Sequence, residues 1–438
     1  MNKNAREVSV EVLGRVLNQG AYSNLALNHA FSSVQLEKED VGLVTEITYG
    51  TLKYLITIDE ILKTHMTVPL KKVEHKILNL LRISIYQLKY LDKVPSYAVI
   101  NEAVELSKKF SKKASGFVNG VLRGYLRKKD IPLTFENHLD ELSKTYSFPI
   151  WMISLFEKQY GERTVEILEG LNERPSITFR VNVQKMTRDE ALNDLLEAGY
   201  DAVKTNISPY GIEITGGRNI LHNELYQKGV LTVQDESSML VAPLLKSQEL
   251  SYMDLCAAPG GKATHLGELV GDNAKVFAYD LYDNKIKLIK ENIDRLSLTN
   301  MNTKKHDAKL LQEDMVETSS VLLDAPCSGL GIIRKKPEIK YMKTAKELES
   351  LTVLQKELLE TASRYVSAKG VLVYSTCTLN KEENEDNARW FLQNHPDFRV
   401  MPVDYGEHDH FIYSEEGFVT ILPGKTMDGF FISCFVRK

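Results

Sequence analysis

The sequence predicts an α/β protein in which a parallel, doubly wound sheet follows an all-α domain and a small α/β module. Three observations predict this order. Apolar residues recur at helical spacing throughout residues 1–140, short helices and strands mix in residues 145–234, and strands alternate with helices in residues 235–438. A chain of 438 residues is also longer than one hydrophobic core usually supports, so several domains are expected.

The N-terminal domain, residues 1–140, is predicted to be a bundle of short helices. Apolar residues recur three or four positions apart, for example at Ile77, Leu80, Leu81 and Ile85. These 140 residues contain 20 Lys and Arg against 15 Asp and Glu, a net charge of +5, so the rest of the chain carries −9 of the total of −4.

A basic stretch at residues 106–129 has no acidic residue and eight basic ones: Lys108, Lys109, Lys112, Lys113, Arg123, Arg127, Lys128 and Lys129. Such a run can attract a phosphate backbone through counterion release. It can equally be an ordinary solvated helix face. The charge pattern alone leaves both interpretations open.

The connecting module, residues 145–234, is predicted to contain a helix at 151–160 and a strand at 177–183. A helix opened by Thr187 follows, and then short strands at 201–204 and 211–214. We find no chemistry of its own in this module.

Composition excludes several protein classes. With 43% hydrophobic and 26% charged residues, the chain matches folded globular proteins and neither disordered nor fibrous ones. We expect no signal peptide, and no segment reaches the ~20 apolar residues that a membrane span needs. The four cysteines include no close-spaced pair, which argues against a disulfide framework and a structural zinc site. We therefore expect a cytoplasmic protein without a metal, in which a cysteine can serve as a nucleophile.

The C-terminal domain, residues 235–438, is predicted to alternate strands and helices. Strands are expected at 252–256, 275–279, 320–323, 371–375 and 430–436, with another ending at His306. Helices are expected at 263–270, 284–296, 345–366 and 382–393. This alternation predicts a parallel sheet that binds ligands at the carboxyl ends of its strands.

The first strand of this domain leads into a loop of small residues with two glycines, Asp254-Leu255-Cys256-Ala257-Ala258-Pro259-Gly260-Gly261-Lys262. The loop lets the backbone approach a ligand closely, and it matches neither a dinucleotide fingerprint nor a Walker A loop. Asp280, Asp307 and Asp324 end or follow the next three strands, where acids can hold ribose hydroxyls and an adenine amino group. A single strand-end Asp is most often a cap, but three in succession favour a nucleoside with an ammonium or sulfonium group.

Two cysteines follow neighbouring predicted strands, Cys327 in Asp324-Ala325-Pro326-Cys327 and Cys377 in Ser375-Thr376-Cys377. Both loops are expected to open on the same edge of the sheet, so the two thiols can face one pocket. A lone cysteine is usually a buried small hydrophobe, and we assign that role to Cys434. Cys256 is expected to line the glycine-containing loop through its backbone.

Methylation at carbon-5 of a pyrimidine requires this set of groups. A thiolate that adds to carbon-6 turns the ring into an enamine, whose carbon-5 can then take a methyl group from a sulfonium. An acid near N3 and a base for the carbon-5 proton complete the scheme. Cys377 as nucleophile, Asp324 as acid and Cys327 as base can fill these three roles.

These motifs resemble the NOL1/NOP2/Sun family of RNA 5-methylcytosine methyltransferases. The resemblance covers residues 235–438 and rests on 256–262, 324–329, 375–378, Glu382-Glu383-Asn384-Glu385 and Asp428-Gly429-Phe430-Phe431. It implies a Rossmann-like domain that binds S-adenosylmethionine through Cys256, Ala257, Ala258, Pro259, Gly260, Gly261, Lys262, Asp280, Asp307 and Asp324. It also implies that Cys377 is the nucleophile and that Cys327 assists product release.

The preceding regions carry weaker resemblances. Asn119-Gly120-Val121-Leu122-Arg123 is similar to a NusB-type RNA-binding domain, and Phe179-Arg180-Val181-Asn182 is similar to the small module that precedes the catalytic domain in this family. Within the family, the NusB-like fusion is typical of enzymes that act on 16S ribosomal RNA. The expected partner is therefore that RNA, with no DNA and no membrane, and a monomer is expected.

Three functions follow from these observations. The leading hypothesis is a 16S rRNA cytosine-5 methyltransferase. A tRNA cytosine-5 methyltransferase shares the catalytic motifs and differs only in its RNA. A NusB-like binding or assembly factor with a vestigial methyltransferase domain is the third, and the presence of both cysteines argues against it.

Overall fold

The computed structural model describes residues 3–128, 131–217, 219–245, 251–312 and 318–438, and the chain forms two compact units. The first contains Met1–Asn172 and Ile333–Lys343, and the second contains Glu173–Ile332 and Thr344–Lys438. The division into domains at 1–140, 145–234 and 235–438 stays a prediction.

The helices, in chain order, are α1 (Ala5–Gln19), α2 (Ser23–Ser33), α3 (Lys38–Lys53), α4 (Leu55–His65), α5 (His75–Tyr90), α6 (Ser96–Phe110), α7 (Ser115–Arg127), α8 (His138–Tyr146), α9 (Ile150–Tyr160), α10 (Thr164–Gly170), α11 (Arg188–Glu197), α12 (Glu224–Gln227), α13 (Glu236–Met239), α14 (Ala242–Leu245), α15 (Gly261–Val270), α16 (Asp283–Leu296), α17 (Ile339–Met342), α18 (Ala345–Tyr365) and α19 (Glu385–Asn394).

The strands are β1 (Ile177–Val181), β2 (Asp201–Lys204), β3 (Gly211–Gly216), β4 (Leu231–Val233), β5 (Ser251–Asp254), β6 (Lys275–Asp280), β7 (Met301–Lys305), β8 (Thr318–Asp324), β9 (Val366–Thr376), β10 (Phe398–Val400), β11 (Phe411–Tyr413), β12 (Val419–Ile421) and β13 (Phe430–Arg437).

The first unit is helical, as predicted. Its first helix, α1, begins at Asn4, whose side chain accepts a hydrogen bond from the Glu7 amide, and ends at Gly20, which has a φ of 70°. Helices α1 and α3 to α7 enclose a core of aliphatic side chains, including the fully buried Leu13 and Leu80. Burial of these apolar faces, and not helix propensity, holds such short helices together.

Part of the basic stretch is neutralised within this unit. Lys108 pairs with Glu105 at 2.6 Å, and Lys109 pairs with the nearly buried Glu7 at 2.5 Å. Lys129 lies outside the described residues. Two of the cations therefore have local partners and are less available to a phosphate backbone than the sequence suggested.

The segment Ile333–Lys343 belongs to the helical unit although it follows Cys327 in the chain. Lys340 on α17 is 1% exposed and donates to the carbonyl oxygens of Lys53 and Ser147 and to Oδ1 of Asn172 at 2.9–3.1 Å. Burial lowers the pKa of this ammonium well below its usual value, with a smaller effect from Lys53. The segment is thus anchored by a buried lysine among neutral oxygens.

The second unit contains two sheets. The smaller is antiparallel, in the order β2-β3-β1-β4, and packs helix α11 on one side. Helix α11 follows Thr187, as predicted, and Thr187 forms a capping box with Glu190.

The larger sheet has the order β11-β12-β13-β9-β8-β5-β6-β7, with β10 paired to β13. Strands β9, β8, β5, β6 and β7 pair in parallel. Strand β13 is antiparallel to its neighbours β9, β10 and β12, and β11 is antiparallel to β12. The parallel prediction is therefore correct for these five strands and wrong for β13, because short connections join β11, β12 and β13 in place of helical crossovers.

The site is positioned by the place where the strand order reverses. Strand β5 lies between β6 and β8: the chain runs outward from β5 through β6 to β7 and then crosses to β8 on the other side of β5. Ligands of doubly wound sheets bind in the crevice at such a point, outside the carboxyl ends of the strands. Among the described residues, no helix combines the length and apolar character required to cross a membrane.

Candidate active site

The loop from β5 to α15 forms one wall of the candidate active site. The amide of Leu255 donates to the Leu322 carbonyl and that of Ala257 to the Tyr279 carbonyl, so the loop is held between neighbouring strands. Gly260 caps α15 with a φ of 107°, which favours glycine over residues with a Cβ. The predicted loop 256–262 therefore lies at the switch point of the sheet.

Three carboxylates lie at the ends of β5, β6 and β8. Asp254 is 1% exposed, Asp280 is 4% exposed and the side chain of Asp324 is 27% exposed. Burial, followed by the charge of Asp324, raises the pKa of Asp254 to about 8, although Lys262 opposes the shift. Asp254 is therefore largely protonated at neutral pH, and it is a residue for which the sequence suggested no role.

Asp307 lies two residues beyond the end of β7 and is half-buried. Its carboxylate accepts the amide of Lys309, and the neighbouring His306 amide donates to the Asp280 carbonyl. The predicted acids at 280, 307 and 324 thus follow successive strands along one edge of the sheet.

The polar groups of this edge fit S-adenosylmethionine. Oδ2 of Asp254 is buried without a hydrogen-bond partner among the described residues. Asp280 accepts long hydrogen bonds from the amides of Ala258 at 3.3 Å and Tyr282 at 3.4 Å, and its Oδ1 lies 3.6 Å from Lys285 Nζ. Carboxyl groups with unused hydrogen-bonding capacity beside backbone amides suit a ligand that carries hydroxyl, amino and sulfonium groups.

Lys262 and Asp324 form an ion pair at the centre of the edge. Lys262 Nζ donates to Asp324 Oδ2 at 2.6 Å, and Ser375 Oγ donates to Asp324 Oδ1 at 2.8 Å. Burial lowers the pKa of Lys262, but the charge and hydrogen bond of Asp324, together with the charge of Cys377, raise it above its usual value overall. Lys262 therefore stays cationic beside Asp324 and the Cys377 sulfur, and its Nζ also lies 5.0 Å from the centre of the Phe430 ring.

The structure brings the two predicted thiols together. Strands β8 and β9 pair with Asp324 opposite Ser375, so the loops that follow them lie side by side. The Sγ atoms of Cys327 and Cys377 are 3.3 Å apart. The hydrogen bond to Cys377, then burial and the charges of Cys377, Glu383 and Asp324, raise the pKa of Cys327 well above its usual value.

The other two cysteines have different surroundings. Cys434 is fully buried in β13, and burial raises its pKa. Burial and the charges of Asp254, Asp280 and Asp324 raise the pKa of Cys256 well above its usual value. A thiol that remains protonated is a poor nucleophile.

Comparison with known proteins accounts for nearly the whole chain. Residues 241–436 match the family model for 16S rRNA methyltransferase RsmB/F, residues 148–221 match the RsmF/B-like ferredoxin-like domain, and residues 3–127 match the NusB family. The "Probable ribosomal RNA small subunit methyltransferase B" of Bacillus subtilis (strain 168) is 36% identical over 99% of this chain and 98% of that protein. The chain belongs to the ribosomal RNA small subunit methyltransferase B family.

Further relatives agree with this membership. The ribosomal RNA small subunit methyltransferase B of Proteus mirabilis (strain HI4320) is 32% identical over 96% of this chain and 99% of that protein. The crystal structure of PH0851 covers all of both chains with a TM-score of 0.83 and 27% identity. The predicted succession of an all-α NusB-like domain, a small α/β module and a Rossmann-like methyltransferase domain is confirmed, and the family model identifies the module as ferredoxin-like. Membership supports methylation of small-subunit ribosomal RNA and implies S-adenosylmethionine as the methyl donor.

One buried cluster of this family member was missed from the sequence. Arg180 on β1 is 0% exposed, and its guanidinium makes two hydrogen bonds to Glu268 on α15 at 2.7 and 2.9 Å. It also donates to Gln234 and to the carbonyl oxygen of Gly261 at 2.7 Å. The small sheet therefore holds the start of α15, where the loop 256–262 ends. The sequence feature that could have revealed this cluster is an arginine inside an otherwise apolar strand.

Proposed function

We propose that this chain methylates carbon-5 of a cytosine in 16S ribosomal RNA through a covalent bond between Cys377 and the base. The observation that carries the proposal is the pair of sulfur atoms 3.3 Å apart, beside an aspartate that is hydrogen-bonded to a lysine. Nucleophilic attack alone would need one thiol. Attack followed by elimination needs two groups that act at adjacent ring carbons.

The methyl donor would be held by the loop 256–262 together with Asp280, Asp307 and Asp324. Asp254 would join this set, because its buried Oδ2 faces no hydrogen-bond partner among the described residues. When bound, S-adenosylmethionine supplies an electrophilic methyl group.

Attack begins at Cys377. The ammonium of Lys262 favours a negative charge on this sulfur, because an adjacent cation stabilises a thiolate. The thiolate forms a bond to carbon-6 of the base, and Asp324 holds a proton at N3 with Lys262 hydrogen-bonded to its carboxylate. The electron pair that reaches carbon-5 makes that atom nucleophilic.

Elimination needs a base for the proton on carbon-5. Cys327 Sγ takes that proton, the bond between carbon-6 and Cys377 breaks, and Cys377 leaves as a thiolate. The largest cause of the raised pKa of Cys327 is its hydrogen bond to Cys377. Once Cys377 is bonded to carbon, that cause is removed, and Cys327 ionises more readily when it has to act as a base.

Replacement of each thiol tests this scheme. Cys377→Ala should reduce methyl transfer by at least about 10³-fold, because the thiol that adds to carbon-6 is removed, while S-adenosylmethionine binding is unchanged. The measurement is methyl incorporation into 16S RNA together with calorimetric titration of the cofactor. Retained methylation would exclude Cys377 as the nucleophile.

Cys327→Ser should leave the first half of the reaction intact and block the second. A covalent protein–RNA adduct should then accumulate on a denaturing gel, and the matched double variant with Cys377→Ala should form none. An absence of adduct in the single variant would contradict the elimination role of Cys327.

We also propose the RNA substrate and the role of each region of the chain. Residues 1–140 would bind RNA, residues 145–234 would connect, and residues 235–438 would catalyse. The target base has to leave its stack to reach the strand-end loops. Bisulfite sequencing of ribosomal and transfer RNA from a deletion strain should show the loss of one 5-methylcytosine in 16S RNA, whereas loss from a tRNA would identify the alternative substrate.

A further inference from the structure

Glu383 is a buried carboxylate between the two loops that carry the thiols. It is 0% exposed and accepts four hydrogen bonds. Oε2 accepts from the amide of Ser328 and from Nε2 of Gln355, both at 2.9 Å. Oε1 accepts from Ser328 Oγ at 2.5 Å and from Asn380 Nδ2 at 3.2 Å. These four donors are neutral groups, and one of them, Asn380, lies three residues after Cys377.

The residues that directly follow the two cysteines are joined to each other and to this carboxylate. Ser328 Oγ and Thr378 Oγ1 are 2.7 Å apart. A serine hydroxyl has one proton, and that of Ser328 goes to Glu383, so Thr378 is the donor to Ser328. The resulting chain runs from Thr378 through Ser328 to Glu383 and connects the two loops.

The residue before Cys327 is held by the same network. Gln355 Nε2, which donates to Glu383, also donates to the carbonyl oxygen of Pro326 at 3.0 Å. Oε1 of Gln355 in turn accepts from Asn387 at 2.9 Å. Cys327 is therefore flanked on both sides by residues whose positions depend on Glu383 or its partner, and none of the hydrogen bonds described for Glu383 involves a sulfur atom.

We propose that Glu383 is a positioning residue that holds Cys327 against Cys377 so that Cys327 can take the carbon-5 proton. The inference rests on the proposed two-thiol reaction. It assigns a role to a buried acid whose own contacts are with the loops and not with the reacting atoms. A carboxylate is suited to this role because each of its two oxygens can accept more than one hydrogen bond.

Replacement of Glu383 by glutamine tests whether its four hydrogen bonds hold the two loops. Glu383→Gln keeps the size of the side chain but changes one oxygen into an NH₂ group. Whichever way the amide turns, that group faces two of the four donors, one of which comes from Ser328. If the NH₂ group replaces Oε2, it faces the amide of Ser328, which no side-chain rotation can redirect. If it replaces Oε1, it faces the hydroxyl of Ser328, which then has to turn away, and the chain from Thr378 through Ser328 to Glu383 is broken.

The experiment uses the full chain, S-adenosylmethionine and 16S RNA transcribed in vitro. Glu383→Gln should accumulate a covalent protein–RNA adduct, as Cys327→Ser does, with multiple-turnover methylation reduced about 10²-fold. Methyl transfer in a single turnover should fall by less than about tenfold, because Cys377 still attacks. Glu385→Gln is the matched control: it also neutralises a buried carboxylate, whose hydrogen-bond partner is Thr420 and not a thiol loop. It should turn over like the unaltered chain.

Three results would overturn the inference. Glu383→Gln could turn over normally, or it could lose attack and release equally and form no adduct. It could also show the same adduct level and turnover as Glu385→Gln. If Glu383→Gln does not fold, Ser328→Ala decides in its place, since it breaks the chain to Thr378 and keeps the backbone amide. Adduct formation in that variant supports the role of Glu383 and normal turnover rejects it. Failure of the proposed function gives a different result, because Cys327→Ser itself then forms no adduct.

Discussion

Two ion pairs of similar length occupy different surroundings at opposite ends of helix α15. Lys262, at its start, pairs with Asp324 at 2.6 Å, and their side chains are 13% and 27% exposed. Glu268, near its end, pairs with Arg180 at 2.7 Å, and these side chains are 1% and 0% exposed. The first pair lies beside the thiols, whereas the second joins strand β1 of the small sheet to α15.

Under the proposed function, the same helix contributes one ion pair to the reaction and one to the stability of the fold. The Arg180 guanidinium uses its donors on Glu268, Gln234, Gly261 and Thr264, so it is saturated by the protein. The Lys262 ammonium has one carboxylate partner and lies near a sulfur atom, so it can respond to a reaction. Removal of one partner should therefore affect activity at the first pair and stability at the second.

The largest expected effect is the loss of methylation activity when the ion pair between Lys262 and Asp324 is broken. Asp324→Asn should reduce methyl transfer about 10²- to 10⁴-fold, because the carboxylate that we propose holds a proton at N3 is lost. The free energy of unfolding should change by only about 1 kcal/mol or less, since the pair is partly exposed. Methylation kinetics and denaturant unfolding of the same preparation measure both quantities. A large loss of stability with normal turnover would reverse the comparison.

The buried pair should behave in the opposite way. Arg180→Met should lower the free energy of unfolding by about 3–5 kcal/mol, because Glu268 is left as an unpaired buried charge. Methyl transfer at saturating S-adenosylmethionine should stay within about tenfold, with weaker cofactor binding, since the Gly261 carbonyl loses a donor. Chemical denaturation and cofactor titration provide the measurements.

A double variant controls for this effect. Arg180→Met combined with Glu268→Leu replaces the pair by apolar side chains and should recover much of the lost stability, because no charge remains unpaired. If the double variant is as unstable as Arg180→Met alone, the loss comes from packing and not from charge.

The smallest effect concerns pH. His265, between the two pairs on α15, is 1% exposed, and neither ring nitrogen has a hydrogen-bond partner among the described residues. Burial, and then the charge of Arg180, lowers its pKa well below the usual value. The folded chain keeps this ring neutral, whereas the unfolded chain binds a proton below about pH 6.5. The contribution of His265 to the free energy of unfolding should therefore fall as the pH drops below about 6.5.

The variant His265→Leu isolates that contribution. Between pH 6.5 and 5.5 the variant should gain roughly 1 kcal/mol of stability relative to the unaltered chain, because it lacks the titrating ring. The difference between the two proteins is the informative quantity, since the raised pKa of Asp254 acts in the opposite direction in both. Parallel pH profiles would mean that His265 is not kept neutral in the folded state.

Sequence reasoning was accurate where a local pattern carries the information. The helix start at Thr187, the parallel strands and the loop 256–262 each lie close to where periodicity and turn residues predicted them. The roles of Cys377, Cys327 and Asp324 stay predictions, although the structure gathers these residues at one edge. The antiparallel direction of β13 was not predicted, because alternation in sequence does not reveal how the last strands connect.

The sequence by itself determined which residues stand at strand ends, because strand periodicity and loop composition are local properties of the chain. Only the tertiary structure decided which of them meet. The pairing of Arg180 with Glu268 joins residues 88 positions apart, and the 3.3 Å contact between thiols depends on the register of β8 against β9. Glu383 was visible in sequence as one acid among several, and its role became visible only when burial and four hydrogen bonds distinguished it from its neighbours. Burial and long-range pairing depend on how distant segments pack, and no spacing along the chain encodes them.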